Sequence, residues 1–211
     1  MPSSTERKQN GNIADCGSFE KPLPIAQAMS LVLAVCGMPG SGKGEFASIF
    51  IQQDIPVLSM GDMIRAEVAS RGLEESPNIF GEIASELRAE FGEEVLAVRL
   101  ADKIDLMRND HNLILIEGLR GTAERDIFQN RWNDEFKVVG IRAEKEVRFQ
   151  RIMKRNRSED GDRNSFETRD EREKGWGLEQ LITQADYILE NRDPLSEFYK
   201  DTRDLLAEIK R

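Results

Sequence analysis

Residues 37–44 read Gly-Met-Pro-Gly-Ser-Gly-Lys-Gly, between the apolar run Leu31–Cys36 (LVLAVC) and an amphipathic stretch from Gly42 to Gln53. This fits the pattern G-x-x-x-x-G-K. Glycines let backbone N–H groups converge on an anion without Cβ obstruction, and the helix that follows adds the positive end of its dipole. Lys43 supplies a point charge for the outer phosphates of a nucleotide. A glycine-rich turn has no such meaning by itself; the strand before it and the helix after it make it a phosphate cradle. Gly37, Met38, Pro39, Gly40, Ser41, Gly42, Lys43, Gly44 and Glu45 are therefore the candidate ATP-binding residues. Proteins with this loop place Ser or Thr after the lysine, to put a hydroxyl on Mg²⁺. Here Gly44 and Glu45 follow, so the metal is expected to be held through water.

The rest of the chain alternates short apolar runs with helical periodicities. Strands are expected at 31–36, 55–58, 113–116, 136–141 and 187–189. Helices are expected at 42–53, 60–71, 78–91, 94–108, 122–132, 144–155, 166–174 and 194–209. Strands separated by helices imply right-handed βαβ units, hence a three-layer α/β fold around a parallel sheet of five strands. The expected division is a disordered tail over 1–28, rich in Ser, Asn, Gly, Lys and Pro, and one domain over 29–211.

Three further patterns carry charge to the same end of such a sheet. Leu113–Ile116 is a buried strand that delivers Glu117 beside the phosphate loop, where a carboxylate orders Mg²⁺ or its waters. Gly61 and Asp62 open a helix that also carries Arg65. Arg148, Arg151 and Arg155 share one helical face, Arg157 and Arg163 follow in a polar segment, and Arg169 and Arg172 lie on the next helix. Acidic residues are interleaved throughout, so a solvated, salt-bridged hairpin is the competing reading of that field.

These motifs resemble those of adenylate kinases and related nucleoside monophosphate kinases. GMPGSGKG is similar to their loop, with Glu45 in place of Thr. Ser59-Met-Gly61-Asp62-Met-Ile-Arg65 is similar to their Ser-Thr-Gly-Asp-x-x-Arg, and Glu117-Gly-Leu-Arg120 to their Asp-Gly-Phe-Pro-Arg. From about residue 31 to 210 the chain resembles a mainly archaeal group of phosphate-loop proteins related to adenylate kinase and dephospho-CoA kinase. GMPGSGKGE (37–45), SMGDMIRAE (59–67), ELRAEFG (86–92), IEGLR (116–120), RDEREKGWG (169–177) and ADYILEN (185–191) carry that resemblance.

The resemblance implies a sheet order 2-3-1-4-5 and a kinase that moves the γ-phosphoryl group of ATP·Mg²⁺ to a small phosphorylated acceptor, such as a nucleoside monophosphate. It implies an acceptor site at Ser59, Gly61, Asp62, Arg65 and Arg120, with Arg88 as a further candidate. It also implies a lid of Arg151, Arg155, Arg157, Arg169 and Arg172. Lys43, Arg120 and Arg155 are the catalytic cations and Glu117 the water-mediated metal contact. Dephospho-CoA kinase is the alternative, with Asp62 as base for a ribose hydroxyl; a nucleotide-dependent switch or regulatory ATPase is the alternative of another class.

Composition narrows the chemistry. The chain has 211 residues and a net charge of −9, which lacks the basic footprint of a general nucleic-acid binder. Two cysteines exclude a disulfide framework, and one histidine, His111, makes histidine-based catalysis or a His-rich metal site unexpected. No run approaches the 18 or so apolar residues that span a bilayer. A cytoplasmic protein, monomeric or homodimeric, is the expectation. Since residues 1–24 have no apolar face, deleting them is expected to shift the melting temperature by less than about 4 °C, checked by calorimetric scanning of both forms.

Overall fold

The computed structural model describes residues 30–155, 160–192 and 194–211. The expected tail lies outside the described residues, as does Arg157. Five parallel strands form one sheet in the order β2-β3-β1-β4-β5: β1 (Leu31–Gly37), β2 (Val57–Ser59), β3 (Leu113–Leu119), β4 (Phe136–Arg142) and β5 (Tyr187–Glu190). Both the class and the order are those expected.

The helices are α1 (Lys43–Ile51), α2 (Met60–Ser70), α3 (Pro77–Phe91), α4 (Val95–Met107), α5 (Thr122–Trp132), α6 (Lys145–Arg155), α7 (Arg163–Gly175), α8 (Leu178–Thr183) and α9 (Leu195–Ile209). Several details differ from the expectation. β3 runs three residues further, through Leu119, so Glu117 lies within it, and α7 starts three residues earlier, which places Arg163 in the helix rather than in the polar segment, because Asp162 caps it by accepting the Ser165 N–H at 2.9 Å. β2 lies two residues further on at its start, because Leu115 N–H pairs with Pro56 O at the sheet edge and regular pairing begins at Val57. α8 was not expected. Its six residues are too short to show a period, and it forms because Leu178, Leu181 and Ile182 bury against β1 and β4.

Alternation along β1 creates two cores. Val32, Ala34 and Cys36 face one cluster with α2, α3, α4, α5 and α8, while Leu33 and Val35 face another with α1 and α9. β1 is buried on both faces because it lies at the centre of the sheet, between β3 and β4. In the first core Phe128 stacks on Trp132, and Phe136 packs against both at a tilt.

Every strand points its C-terminal end the same way, so β1, β2, β3, β4 and β5 deliver the phosphate loop, Ser59, Glu117, Arg142 and Asn191 to one edge. That edge is clamped. Arg148 of α6 is buried, bidentate to Asp170 of α7 at 2.8 and 2.7 Å, and donates to Pro39 O at 2.9 Å. It therefore serves as a bracket between the loop and α7, not as part of an open arginine face. Asn191 donates to Ser41 O at 2.8 Å and accepts from Arg151 at 3.2 Å. Removing one partner of a buried ion pair strands the other charge, at a cost of about 3–5 kcal/mol. Arg148→Met is expected to lose stability of that order in denaturant unfolding, and Arg148→Met with Asp170→Leu to recover most of it.

Candidate functional site

A cavity of about 660 Å³ opens at the C-terminal edge of the sheet. Its floor is the phosphate loop. Gly40 and Gly42 have φ of 79° and 106°, values that side-chain-bearing residues rarely adopt, and a Cβ on Gly40 would strike the backbone of Arg148. The loop can therefore be tight and packed under α6 only with glycine there. Pro39, Gly40, Gly42, Lys43, Gly44 and Glu45 line the cavity. Gly37, Met38 and Ser41 lie beneath it and act through backbone: the Lys43 ammonium donates to Gly37 O at 2.5 Å and Met38 O at 3.3 Å.

Lys43 is half-buried as a residue, but its ammonium is tucked against those carbonyls. Burial lowers its pKa to about 8, opposed by Glu173 and assisted by Arg120.

The walls divide into two. On one side Ser59, Gly61, Ile64 and Arg65 of β2 and α2 meet Phe80 and Ala84 of α3. Arg65 is held by Asp62 through Nε and Nη2 at 3.0 and 2.6 Å. Asp62 itself is exposed and not part of the lining. Ser59 donates to Glu117 at 2.8 Å, which fixes that carboxylate at the end of β3. On the other side stand Arg151, Lys154 and Arg155 of α6, with Arg169, Arg172, Glu173 and Trp176 on and after α7. Arg155 is bidentate to buried Asp160 at 2.7 and 2.5 Å.

Arg88 is turned away from the cavity, against the expectation that it contacts an acceptor. It is buried, donates to Ala84 O at 3.0 Å and pairs with buried Glu124 at 2.7 Å. The same Glu124 accepts the backbone N–H of Arg120 and Gly121 at 3.1 Å each. Arg88 thus supports the turn that aims Arg120. Its guanidinium also covers the Trp176 ring at 4.2 Å. Arg172, expected over the donor with the lid, lines the cavity and also rests against α3: a Cβ on Gly81 would overlap its guanidinium, so glycine there makes room for it.

Nothing in the sequence singled out Lys154 or Phe80, while Glu173 and Trp176 belong to the 169–177 motif and Asn191 to the 185–191 motif, none of the three with an expected role in the site. Glu173 is the most consequential omission. It is 2% exposed and faces the cavity among Arg120, Arg169 and Lys43. Its signal was weak, because Glu173 sits in a run of alternating charges where any acid looks like a solvated helix face.

The lining carries eight lysines and arginines against three glutamates, while the chain carries a net −9. Such a local excess, enclosed beside helix N-termini, is a site for a polyanion. Among the described residues, no group of three or more His, Cys, Asp or Glu side chains gathers as a metal cage. Nor is any helix of theirs long and apolar enough to cross a membrane.

A family model described as an AAA domain matches residues 36–169. A UPF0200 protein of Methanosarcina barkeri is 40% identical over 183 residues, which cover 85% of this chain and 96% of the relative. A UPF0200/UPF0201 protein of Archaeoglobus fulgidus is 35% identical over 179 residues, 84% of this chain; the chain spans 55% of that relative's length. Among solved structures, TT1252 of Thermus thermophilus superposes with a TM-score of 0.55 at 21% identity, covering 85% of this chain and 97% of that one. Shikimate kinase of Bacteroides thetaiotaomicron superposes with 0.52 at 18% identity, covering 84% and 98%. These structures share the fold.

Because folding confines the Lys43 charge, its proton is held less tightly in the folded than in the unfolded chain. Between pH 8 and 10.5 the unfolded chain binds more protons, so ligand-free stability gains with pH from this residue. The stability of the wild type relative to Lys43→Met is expected to rise across that window and stay flat below pH 7, as read from urea unfolding at a series of pH values. ATP-dependent turnover of the variant is expected to fall by about 10²–10³-fold or more.

Proposed function

We propose that this chain, which belongs to the UPF0200 family and carries the AAA domain fold, is an ATP-dependent phosphotransferase acting on a small phosphorylated acceptor, a nucleoside monophosphate. One observation carries the reading. Cations from the phosphate loop, from α2, from the turn after β3, and from α6 and α7 all line one cavity. A nucleotide triphosphate alone would occupy the loop and the α6–α7 side. It would leave Arg65 and Arg120 without a ligand.

In this reading the ATP phosphates rest on residues 37–45 with Lys43 on the outer two. Arg65 and Arg120 grip the acceptor phosphate, and Arg155 and Arg169 neutralise the group in transit. Between the two halves the acceptor body meets Ile64, Phe80, Ala84 and Trp176, an apolar wall with two aromatic rings. That wall suits a flat base. A phosphate acceptor already ionised needs no general base, so positioning and electrostatics carry the rate. Asp62, the base a ribose-hydroxyl acceptor would require, is occupied by Arg65 and lies outside the lining, which favours the monophosphate over dephospho-CoA.

The donor set fits magnesium held through water. Mg²⁺ keeps several waters and takes one or two carboxylates plus substrate phosphates. Glu117, fixed by Ser59 and facing the cavity, would accept from those waters, with Glu45 at the loop's open side. Tyr199 donates to Glu45 and orients it. Bound there, the metal would supply positive charge against the ATP phosphates, with Glu117 and Glu45 holding its waters.

A switch ATPase has no use for a second phosphate grip, and this separates the two readings. Arg120→Ala is expected to weaken monophosphate binding by about 1.5–3 kcal/mol, the value of a charge-assisted contact. ATP affinity is expected to stay within about threefold. Calorimetric titration of both proteins with ATP and a panel of nucleoside monophosphates and dephospho-CoA checks this. If no monophosphate binds the wild type below millimolar concentration, the kinase reading falls and the switch replaces it.

A further inference from the structure

Glu173 is a carboxylate in a place built for phosphate. One oxygen accepts from Arg169 Nε at 3.0 Å and lies 3.4 Å from Arg120 Nε. The other is buried and has no hydrogen-bond partner among the described residues. The two arginines come from different elements, Arg120 from the turn after β3 and Arg169 from α7, and meet at this carboxylate. Burial alone would raise the carboxyl, yet Arg120, Arg169 and Lys43 hold it at about 2. It is therefore an anion under all working conditions and no proton acceptor. A structural salt bridge would satisfy both oxygens and stand away from the ligand; this one has a free oxygen and lines the cavity.

We infer, on the phosphotransferase reading above, that Glu173 is the resident counter-anion of the site: a positioning residue that spaces Arg120 and Arg169 for two phosphates, at the expense of ATP affinity. Without a ligand, those arginines, Arg172 and Lys43 would repel one another. Glu173 gathers them, so the cations stand near their working positions before substrate arrives. The same charge repels every phosphate that enters. Its removal is therefore expected to act in opposite directions on binding and on transfer. A buried acid that merely supports the fold would weaken both.

The test uses the full chain and ATP as the probe. Glu173→Gln keeps the shape and removes the charge. Calorimetric titration is expected to give an ATP Kd about tenfold lower than wild type, the order of one unit charge at a partly solvated site. With the monophosphate the wild type accepts, KM for ATP is expected to fall and kcat to fall at least tenfold. Glu173→Asp, which retains the charge, is expected to return the ATP Kd to within about twofold of wild type. It also serves as the deciding variant should the Gln form not fold: an ATP Kd raised tenfold in Glu173→Asp overturns the inference. An unchanged or raised ATP Kd in folded Glu173→Gln overturns it too, and leaves the phosphotransferase reading standing. A wild type that binds no ATP removes that reading, and the inference with it.

Discussion

Like charges crowded at the C-terminal edge of the sheet are the central constraint on this molecule. The cavity there gathers eight lysines and arginines in a small volume, and those cations repel one another. The structure answers with buried carboxylates, one for each group of arginines. Asp170 takes Arg148, Glu124 takes Arg88, Asp160 takes Arg155, and Glu173 takes Arg169 and Arg120. Each acid is almost fully buried. Buried ion pairs contribute little net stability because desolvation offsets attraction, so their value here is geometric. They fix where each guanidinium points.

The pairs fall into two roles. Arg148–Asp170 and Arg88–Glu124 lie behind the cavity wall and hold elements together: the first joins the loop, α6 and α7, and the second sets the turn that carries Arg120. Arg155–Asp160 and Arg169–Glu173 face inward, where a phosphate oxygen can compete for the same donors. α7 contributes to both roles within little more than one turn, residues 169–173. It also rests Arg172 against Gly81 of α3, so the α6–α7 wall and the α2–α3 wall of the cavity touch. A movement of α7 would therefore be felt by α3.

Much of this was legible in the chain. The glycine loop, the buried strand ending at Glu117 and the apolar alternation of β1 declare themselves locally, through φ requirements and periodicity. The strand order followed from likeness of motif. What could not be read was the partner of each charge. Arg88, Arg148, Arg155 and Arg172 look alike in sequence, all in amphipathic stretches rich in acids. Their partners lie 36, 22, 5 and, for the contact of Arg172 with Gly81, 91 positions away. Charge periodicity cannot choose among such pairings, because each depends on how two helices pack.

The sequence by itself determined that a phosphate-binding loop stands between a buried strand and a helix, and that parallel βαβ units surround it. Backbone sterics and hydrophobic burial act over a few residues and leave a local trace. Only the tertiary structure decided which cations face the cavity and which are bolted behind it. It also decided that Phe80 and Trp176 both line the cavity, and that Glu173 stands among Arg120, Arg169 and Lys43. Electrostatic partnership is set by distance in space and by exclusion of water. Both arise only once α3, α6 and α7 have closed over the edge of the sheet.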